Sequence, residues 1–481
     1  MYLLLIVPLL SVSALNLPFK KEIADRIALW WVMALCCLQV LFVFFPKACE
    51  VASWHSALIS FFGSAPTLDS LARVMFLAIA LVAAAALMTA RYLLGVGERL
   101  FVFCCLTVLA MAGMNGVVLA SDLFTLYVFL ELTAAASFIL IAFERERDGF
   151  EGAFKYLMLS ALATGMLLTG IGIFALTGEG LSYSQAGITL AVNRESALVW
   201  SGVALIVAGL CIKGGLVPFH GWVPDAYSSA PGGAAVLLAG IVTKAAGVYT
   251  LIRLVSSVIK VPDIPEQELG VDAAVLTFGT VSLLAGALLA LVQSDLRRML
   301  AYSSISQVGY IALGLGAGSF LGLAGAVFHL FNHAVFKSLL FVNAAAVEKE
   351  TGLRDMNQMG GLSHQMPVTG LTSIIAMLST AGIPPLSGFW SKLMIVVALW
   401  QAGYEWVAAA AVLGSLITLA YFLSLQRRVF YGELLERFAG VREAGVWVVV
   451  PAVALAVLTL LLGAIFPWLF NTFLVPVAGF L

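Results

Sequence analysis

Ionisable side chains interrupt several long apolar stretches of the sequence. Glu131, Lys213, Lys244, Lys337 and Lys392 each lie inside a segment long enough to cross a membrane. A charge near the centre of a bilayer costs roughly 2.5–3.5 kcal/mol on insertion scales, and buried ion pairs are weak stabilisers. A protein that keeps five such groups is therefore predicted to use them.

One apolar segment carries three ionisable groups at regular spacing. In FHLFNHAVFKSLLF, His329, His333 and Lys337 are spaced four residues apart, so they lie on roughly one face of a helix. Phe and Leu occupy the opposite face, which suits lipid or packing against protein. Because histidine changes charge near neutral pH, Lys and His joined by water would conduct protons. The sequence predicts movement of protons or small cations.

Glu131 is the acidic member of this set. Burial in an apolar medium disfavours an ammonium group, whereas a neighbouring carboxylate stabilises it. If Glu131 approaches and leaves Lys213, that lysine can take up and release a proton. The alternatives are structural, since lysines near helix ends can extend to the aqueous interface and a Glu–Lys pair can serve packing alone.

Other polar residues are weaker candidates. His220 and Asp225 lie in PFHGWVPDA, where they either shape a loop or form an access path for ions. A later segment contains small polar residues that could hold water, although such residues also pack helices well. They are Ser303, Ser304, Ser306 and Gln307.

The six cysteines show no C-x-x-C spacing. A Cys-ligated iron–sulfur cluster, a zinc site and a c-type haem are therefore not expected. No metal, cofactor or catalytic redox site is predicted in this chain. If the protein serves electron transfer, another chain carries the electrons.

Composition requires a membrane around the ionisable groups. Of 481 residues, 62% are hydrophobic and 11% are charged. A soluble domain carries about 25% charged residues, so most of the exterior must face lipid. The net charge of −1 gives no indication of nucleic acid binding. The first apolar run lacks a preceding basic region and is interpreted as a retained helix rather than a signal peptide.

Apolar segments of spanning length recur throughout the chain. In lipid such segments must be helices, because every backbone polar group needs an internal partner. An all-α polytopic membrane protein with about fourteen transmembrane helices is predicted. The predicted spans are 2–16, 27–45, 72–89, 98–119, 122–142, 153–177, 198–216, 233–258, 270–292, 299–318, 321–347, 368–400, 406–426 and 446–470.

Lys and Arg are unequally distributed between the two sides of these spans. Of 25 such residues, 16 fall on one side, four lie inside spans, and the other side holds only Lys47, Arg73, Arg194, Arg253 and Lys260. Positive charge favours the cytoplasmic side. The rich side is therefore predicted to be cytoplasmic, with both termini outside, in the inner or plasma membrane of a cell.

Two spanning segments contain Gly and Pro residues that interrupt a helix, at 211–233 and 381–394. Paired breaks in two halves of a membrane protein indicate a transport site. The triplet SDL recurs at 121 and 294, and their offset of 173 (294 − 121) resembles the offset of 179 (392 − 213) between the lysines near the breaks. Five spans separate the copies, and five is odd, so the repeats are predicted to be inverted.

The predicted divisions are 1–97 for the first three helices, 98–258 for the first five-helix repeat, 270–430 for the second repeat and 445–481 for the last helix.

Five motifs resemble a known family. They are LYVFLELTAAASF, KGGLVPFHGWVPDAYSSAP, TKAAGVY, LFNHAVFKSLLF and GIPPLSGFWSKLMI. They are similar, in this order, to the antiporter-like subunits of NADH:quinone oxidoreductase (complex I), Mrp-type cation/proton antiporters and energy-converting membrane-bound hydrogenases. The resemblance covers about residues 70–430, and the last motif is more similar to the Mrp D-type and hydrogenase-type subunits.

The resemblance implies a fold of fourteen helices with two inverted five-helix repeats. It also implies other integral membrane subunits as partners, and H⁺, with or without Na⁺, as the transported ion. The implied ion path contains Glu131, Lys213, Lys244, His333, Lys337 and Lys392, which together with His329 are called the ionisable series below. A free-standing secondary transporter of solutes or cations is the alternative, and a scaffold that has lost transport is a third possibility.

Overall fold

The computed structural model describes residues 7–11, 21–44, 69–259 and 271–478. Within these ranges the chain is helical, without strands apart from two isolated backbone bridges. The helices of eight or more residues are α1 Lys21–Phe44, α2 Ser70–Leu94, α3 Glu98–Leu119, α4 Leu123–Ile141, α5 Arg147–Thr177, α6 Tyr183–Val192, α7 Ala197–Gly214, α8 Trp222–Ser229, α9 Gly232–Ile259, α10 Val271–Leu291, α11 Leu296–Gly316, α12 Phe320–Thr351, α13 Pro367–Ala381, α14 Ser387–Gln401, α15 Glu405–Leu425 and α16 Val446–Ala464.

Eleven spans in the described ranges are long and apolar enough to cross a membrane. The prediction of an all-α polytopic protein is therefore confirmed. α11 is not among the eleven, and its hydropathy is lowered by two arginines and several small polar residues. The first predicted span, 2–16, lies largely outside the described residues.

The twelfth predicted span, 368–400, is interrupted, as its Gly and Pro residues predict. The chain forms α13 and α14, which are separated at 382–386. Pro384 and Pro385 in this gap have no amide hydrogen, and proline clashes with the preceding turn of a helix. The break itself was predicted from these residues.

The SDL triplet begins two helices in the same way. Asp122 accepts a hydrogen bond from the amide of Thr125 at 2.7 Å, and Asp295 accepts one from the amide of Arg298 at 2.8 Å. Asp122 also bridges Ser182 through the backbone, as Asp295 bridges Asp355. Both pairs of positions differ by 173 residues (295 − 122 and 355 − 182). The local structure around the triplet therefore occurs twice.

The two broken helices also end alike. Gly215 follows α7 with φ of 71°, and Gly382 follows α13 with φ of 84°, a left-handed conformation that glycine adopts without a steric penalty. These glycines are 167 residues apart (382 − 215), whereas Lys213 and Lys392 are 179 apart. Lys213 accordingly precedes its break, and Lys392 follows the second one.

α9 and α12 form the centre of the bundle. The apolar stretch of each is buried throughout, and α12 is buried on all sides from Gly322 to Val347. The Phe and Leu face of α12 therefore packs against protein and not against lipid. Helices α4, α5, α10 and α15 lie further out, because each exposes a face of large apolar side chains.

Candidate ion-translocation site

Lys213 and Glu131 form an ion pair. Lys213 lies in the last turn of α7, and its Nζ atom is 3.2 Å from Oε1 of Glu131 and 3.3 Å from Oγ of Ser160. The hydroxyl of Thr164 donates to the same Glu131 oxygen at 2.5 Å. α4, α5 and α7 thus each contribute to one site.

The two partners differ in burial. The Lys213 side chain is 3% exposed, whereas that of Glu131 is 37% exposed. Glu131 lies on the outer face of α4, in one stripe with the exposed Phe124, Val128 and Ile139. Within this chain alone, Glu131 is therefore not fully enclosed by protein. The reason is that α4 is an outer helix and not a central one.

Lys244 lies fully buried in α9. Its Nζ atom donates to the carbonyl of Ala239, and to Oγ1 of Thr243 at 3.4 Å. This part of α9 consists of π-helical turns, which are frequent at functional sites. A Cβ atom at Gly247 would lie 2.3 Å from the Cα atom of Gly214. The end of α7 that carries Lys213 is therefore in direct backbone contact with the part of α9 that carries Lys244.

The three ionisable residues of α12 lie together and are fully buried. The rings of His329 and His333 are stacked, with centroids 6.3 Å apart. Lys337 donates to Oγ of Ser303 at 2.7 Å and to the carbonyl of Leu300 at 3.1 Å. The predicted common face of α12 is thus present, and it points into the bundle.

His333 is the most central member of the ionisable series. It lies within electrostatic range of Lys244, Lys337, His329 and Lys392. Among the residues that the structure describes, neither of its ring nitrogens has a hydrogen-bond partner, although both are buried. Nearly all buried polar groups in proteins are paired, so these two nitrogens set His333 apart from the four buried lysines, each of which has a hydrogen-bond partner.

Lys392 lies in α14, beyond the second break. Its Nζ atom is 3.3 Å from Oγ of Ser415 and 4.2 Å from the centre of the Tyr310 ring, within the range of a cation–π interaction. The preceding residue, Ser391, contacts Nδ1 of His329 at 2.9 Å. Lys392 is therefore connected to α12 through its neighbour in sequence.

His220 and Asp225 lie apart from these buried contacts. Asp225 in α8 pairs with Lys155 at 2.7 Å and with Arg298 at 2.7 Å. Because Lys155 belongs to α5 and Arg298 to α11, Asp225 connects the two halves of the bundle at a charged surface. His220 is partly exposed in the first break.

Among the residues that the structure describes, no group of three or more His, Cys, Asp or Glu side chains could hold a metal ion. The polar partners Ser160, Thr164, Ser415 and Tyr310 were not identified from the sequence. Each belongs to a different helix from the ionisable residue that it contacts, so no spacing in the sequence indicates the contact.

Residues 120–418 match the family model described as NADH:quinone oxidoreductase/Mrp antiporter, transmembrane. The chain belongs to this family. The resemblance predicted from the five motifs is thereby confirmed.

Relatives of the chain carry names from both branches of the family. NADH-quinone oxidoreductase subunit N of Desulforudis audaxviator is 40% identical over 66% of this chain and 63% of its own length. A Na⁺/H⁺ antiporter subunit of Alkalihalophilus pseudofirmus is 29% identical over 86% of this chain and 82% of its own length. The match thus spans less than two thirds of the Desulforudis relative.

Solved structures share the fold over nearly the whole chain. The Mrp complex of Dietzia sp. DQ12-45-1b contains a chain with a TM-score of 0.85 and 26% identity, covering 99% of this chain and 96% of that one. Respiratory complex I of Thermus thermophilus contains one with a TM-score of 0.77 and 26% identity, covering 98% of this chain and 99% of that one. An archaeal membrane-bound sulfane sulfur reductase gives a TM-score of 0.84 at 26% identity, covering 99% and 96%.

Proposed function

We propose that this chain is the ion-translocating, antiporter-like subunit of a multisubunit membrane complex, and that it moves protons, or protons in exchange for Na⁺. The observation that supports this most is the connected arrangement of the ionisable series. It extends from the Glu131–Lys213 pair across the contact between α7 and α9 to Lys244. On α12, His329, His333 and Lys337 lie together, and His329 contacts Ser391, the neighbour of Lys392.

A proton would follow this order of contacts. Lys213 holds its proton as an ammonium ion while Glu131 is close, and releases it when the carboxylate moves away. His333 and His329 can each accept a proton on one ring nitrogen and donate from the other. Water in a polar interior would pair with the unpartnered nitrogens of these rings. Lys244 and Lys337 flank this central pair, and Lys392 is the last lysine of the series.

The proposed architecture has fourteen transmembrane helices and two inverted five-helix repeats at 98–258 and 270–430, preceded by 1–97 and followed by 445–481. The matching caps of α4 and α11 and the matching glycines after α7 and α13 support the repeats. The side rich in Lys and Arg faces the cytoplasm, and both termini face outward, from the inner or plasma membrane.

Neighbouring membrane subunits are the proposed partners. A carboxylate that faces lipid at mid-membrane is costly, and Glu131 is partly exposed on the outside of this chain. A helix of an adjoining subunit would remove that cost. The alternative of a free-standing solute transporter is not favoured, because the similar chains of known structure are parts of multisubunit complexes.

The decisive experiment is proton pumping in vesicles that contain the whole complex. We expect Lys213→Ala and Glu131→Gln each to abolish pumping while the complex still assembles. Lys349→Ala is a matched control, because Lys349 is an exposed lysine at the end of α12. Pumping that is unchanged in both test variants would mean that the charges are structural, and the proposal would be wrong.

A further inference from the structure

Among the described residues, three of the four buried lysines share an arrangement that Lys213 lacks, although Lys213 also contacts a serine hydroxyl. Each contacts a serine or threonine hydroxyl, and that hydroxyl contacts the hydroxyl of a buried tyrosine. We infer that the tyrosine in each of these lysine–hydroxyl–tyrosine groups is a positioning residue for proton transfer. The two hydroxyls together can form hydrogen bonds with the lysine both as an ammonium ion and as a neutral amine. This inference rests on the proposed function. The groups are Lys244–Thr243–Tyr227, Lys337–Ser303–Tyr421 and Lys392–Ser415–Tyr310.

The group at Lys337 has the shortest contacts. Lys337 donates to Oγ of Ser303 at 2.7 Å, and the hydroxyls of Ser303 and Tyr421 are 2.6 Å apart. All three side chains are buried. Ser303 belongs to α11 and Tyr421 to α15, so the group connects these two helices to α12.

The group at Lys392 uses the same two helices with the roles exchanged. Its tyrosine, Tyr310, belongs to α11, and its serine, Ser415, belongs to α15. Tyr310 donates to the carbonyl of Ala411 at 2.5 Å, and its hydroxyl is 2.7 Å from Ser415. The Ser415 proton is therefore directed at Tyr310, which leaves a serine lone pair to accept from Lys392.

The group at Lys244 is built within one stretch of chain. Thr243 precedes Lys244, and its hydroxyl is 2.8 Å from that of Tyr227 in α8. Tyr227 also donates to the carbonyl of Leu238 at 3.2 Å. Its tyrosine thus has a carbonyl partner, as Tyr310 does.

The chemistry of the donors explains why hydroxyls suit these sites. An ammonium ion only donates hydrogen bonds, whereas a neutral amine also accepts one. A hydroxyl can rotate to accept from the ammonium or to donate to the amine, and the second hydroxyl then adjusts its own bond. A carboxylate accepts only, so Glu131 favours the charged form of Lys213. Within the described residues none of the other three lysines forms an ion pair.

The first test is a double-mutant cycle at Lys337, measured as proton pumping by the whole complex in vesicles. We expect Tyr421→Phe and Ser303→Ala each to reduce the initial rate about tenfold or more, as for loss of an assisting proton-transfer group. The double variant should be no slower than the slower single variant, because the two hydroxyls act as one unit. Tyr249→Phe is the control, because Tyr249 is equally buried but contacts Val118 and Arg253 and, within the part of the chain that the structure describes, no lysine.

The second test asks whether a hydroxyl alone restores transport at Lys244. Thr243→Val keeps the size of the side chain and removes its hydroxyl, whereas Thr243→Ser keeps the hydroxyl. We expect Thr243→Val to slow pumping as Tyr227→Phe does, and Thr243→Ser to retain the parent rate. Equal rates for Val and Ser would overturn the inference, and this readout does not depend on the assembly of the Lys337 variants.

The Lys337→Ala variant distinguishes a failure of this inference from a failure of the proposed function. If it stops pumping while Tyr421→Phe and Tyr249→Phe both retain the parent rate, the tyrosines are not positioning residues and the proposed function stands. If Lys337→Ala itself leaves pumping unchanged in the assembled complex, the ionisable series is not the ion path at this point and both proposals fail.

Discussion

The regions around the two helix breaks share local backbone features but differ in the chemistry of their side chains. Around Lys213, the polar partners include a carboxylate, and that carboxylate reaches the outer surface of the chain. Around Lys337 and Lys392, the partners are hydroxyls, carbonyls and aromatic rings, and the lysines are almost completely buried. Helix caps and left-handed glycines repeat, whereas the ionisable groups do not. We infer that the proposed repeat sets the backbone frame, and that the side chains decide how each half would handle a transported ion.

The two regions would then have different roles in transport. A carboxylate that can be covered or uncovered by a neighbouring subunit would respond to events outside the chain. Hydroxyl groups in a closed interior would respond only to the protonation of their own lysine. The first half would then receive the driving signal, and the second half would carry the proton onward.

The largest expected difference between the halves concerns chemical modification. An apolar carbodiimide should modify Glu131 in the isolated chain, because its carboxylate is partly exposed in an apolar surface. In the intact complex we expect slower modification, because a neighbouring subunit covers this face, and we expect pumping to be lost as modification proceeds. Mass spectrometry of the Glu131 peptide measures both rates.

Glu131→Gln serves as the control for this labelling, since it removes the reactive carboxylate and leaves the shape of the side chain. Equal labelling in the isolated chain and in the complex would show that no subunit covers α4 at Glu131. The proposed site of the driving signal would then be wrong.

The second prediction concerns the glycines that bring the segments of each half together. A Cβ atom at Gly247 would lie 2.3 Å from the Cα atom of Gly214, and one at Gly388 would lie 1.8 Å from the carbonyl of Ser379. We expect Gly247→Ala and Gly388→Ala each to destabilise the protein by about 1–3 kcal/mol, as overpacking does. Thermal unfolding in detergent provides the measurement.

Gly165→Ala is the matched control for both variants, because nothing lies within 4 Å of the added methyl group on the outer helix α5. If Gly247→Ala unfolds at the same temperature as Gly165→Ala, the contact between α7 and α9 is looser than described. The proposed connection from Lys213 to Lys244 would then lose its structural basis.

Most of the helices and several of their starting positions can be predicted from the sequence alone. Runs of apolar residues indicate most of the helices, because lipid admits no other backbone structure at that length. The SDL triplets mark the starts of α4 and α11, since aspartate is a strong N-cap residue. The short helix α6 was missed, although Ser182 and Gln185 form a capping box that marks its start.

The surroundings of the ionisable residues do not follow from the sequence. Ser303 and Tyr421 are 118 residues apart, and their contact depends on how α11 packs against α15. The exposure of Glu131 likewise depends on which helices surround α4, and hydropathy carries no information about that. The roles of the ionisable residues therefore stay predictions, whereas the structure fixes which of their side chains meet.

The third prediction tests whether the two helix caps are equivalent. Asp122→Ala and Asp295→Ala each remove one side-chain cap, which typically costs about 0.5–2 kcal/mol. We expect similar losses of stability in the two variants, because both caps accept from the third residue of the helix at nearly equal distances. Chemical unfolding of the isolated chain measures the two values. A large difference between the two stability losses would mean that the two caps share backbone geometry but do not contribute equally to stability.

The smallest expected effect concerns the contact that joins the halves at the charged surface. Asp225→Asn removes the ion pairs with Lys155 and Arg298, whose side chains are 43% and 39% exposed. Exposed ion pairs contribute about 0–1 kcal/mol each, so stability should fall only slightly. If Asp225 serves as an access path for ions, pumping by the assembled complex should fall much more than stability does. If the pumping rate falls only in proportion to stability, the role of Asp225 is to hold the two halves together.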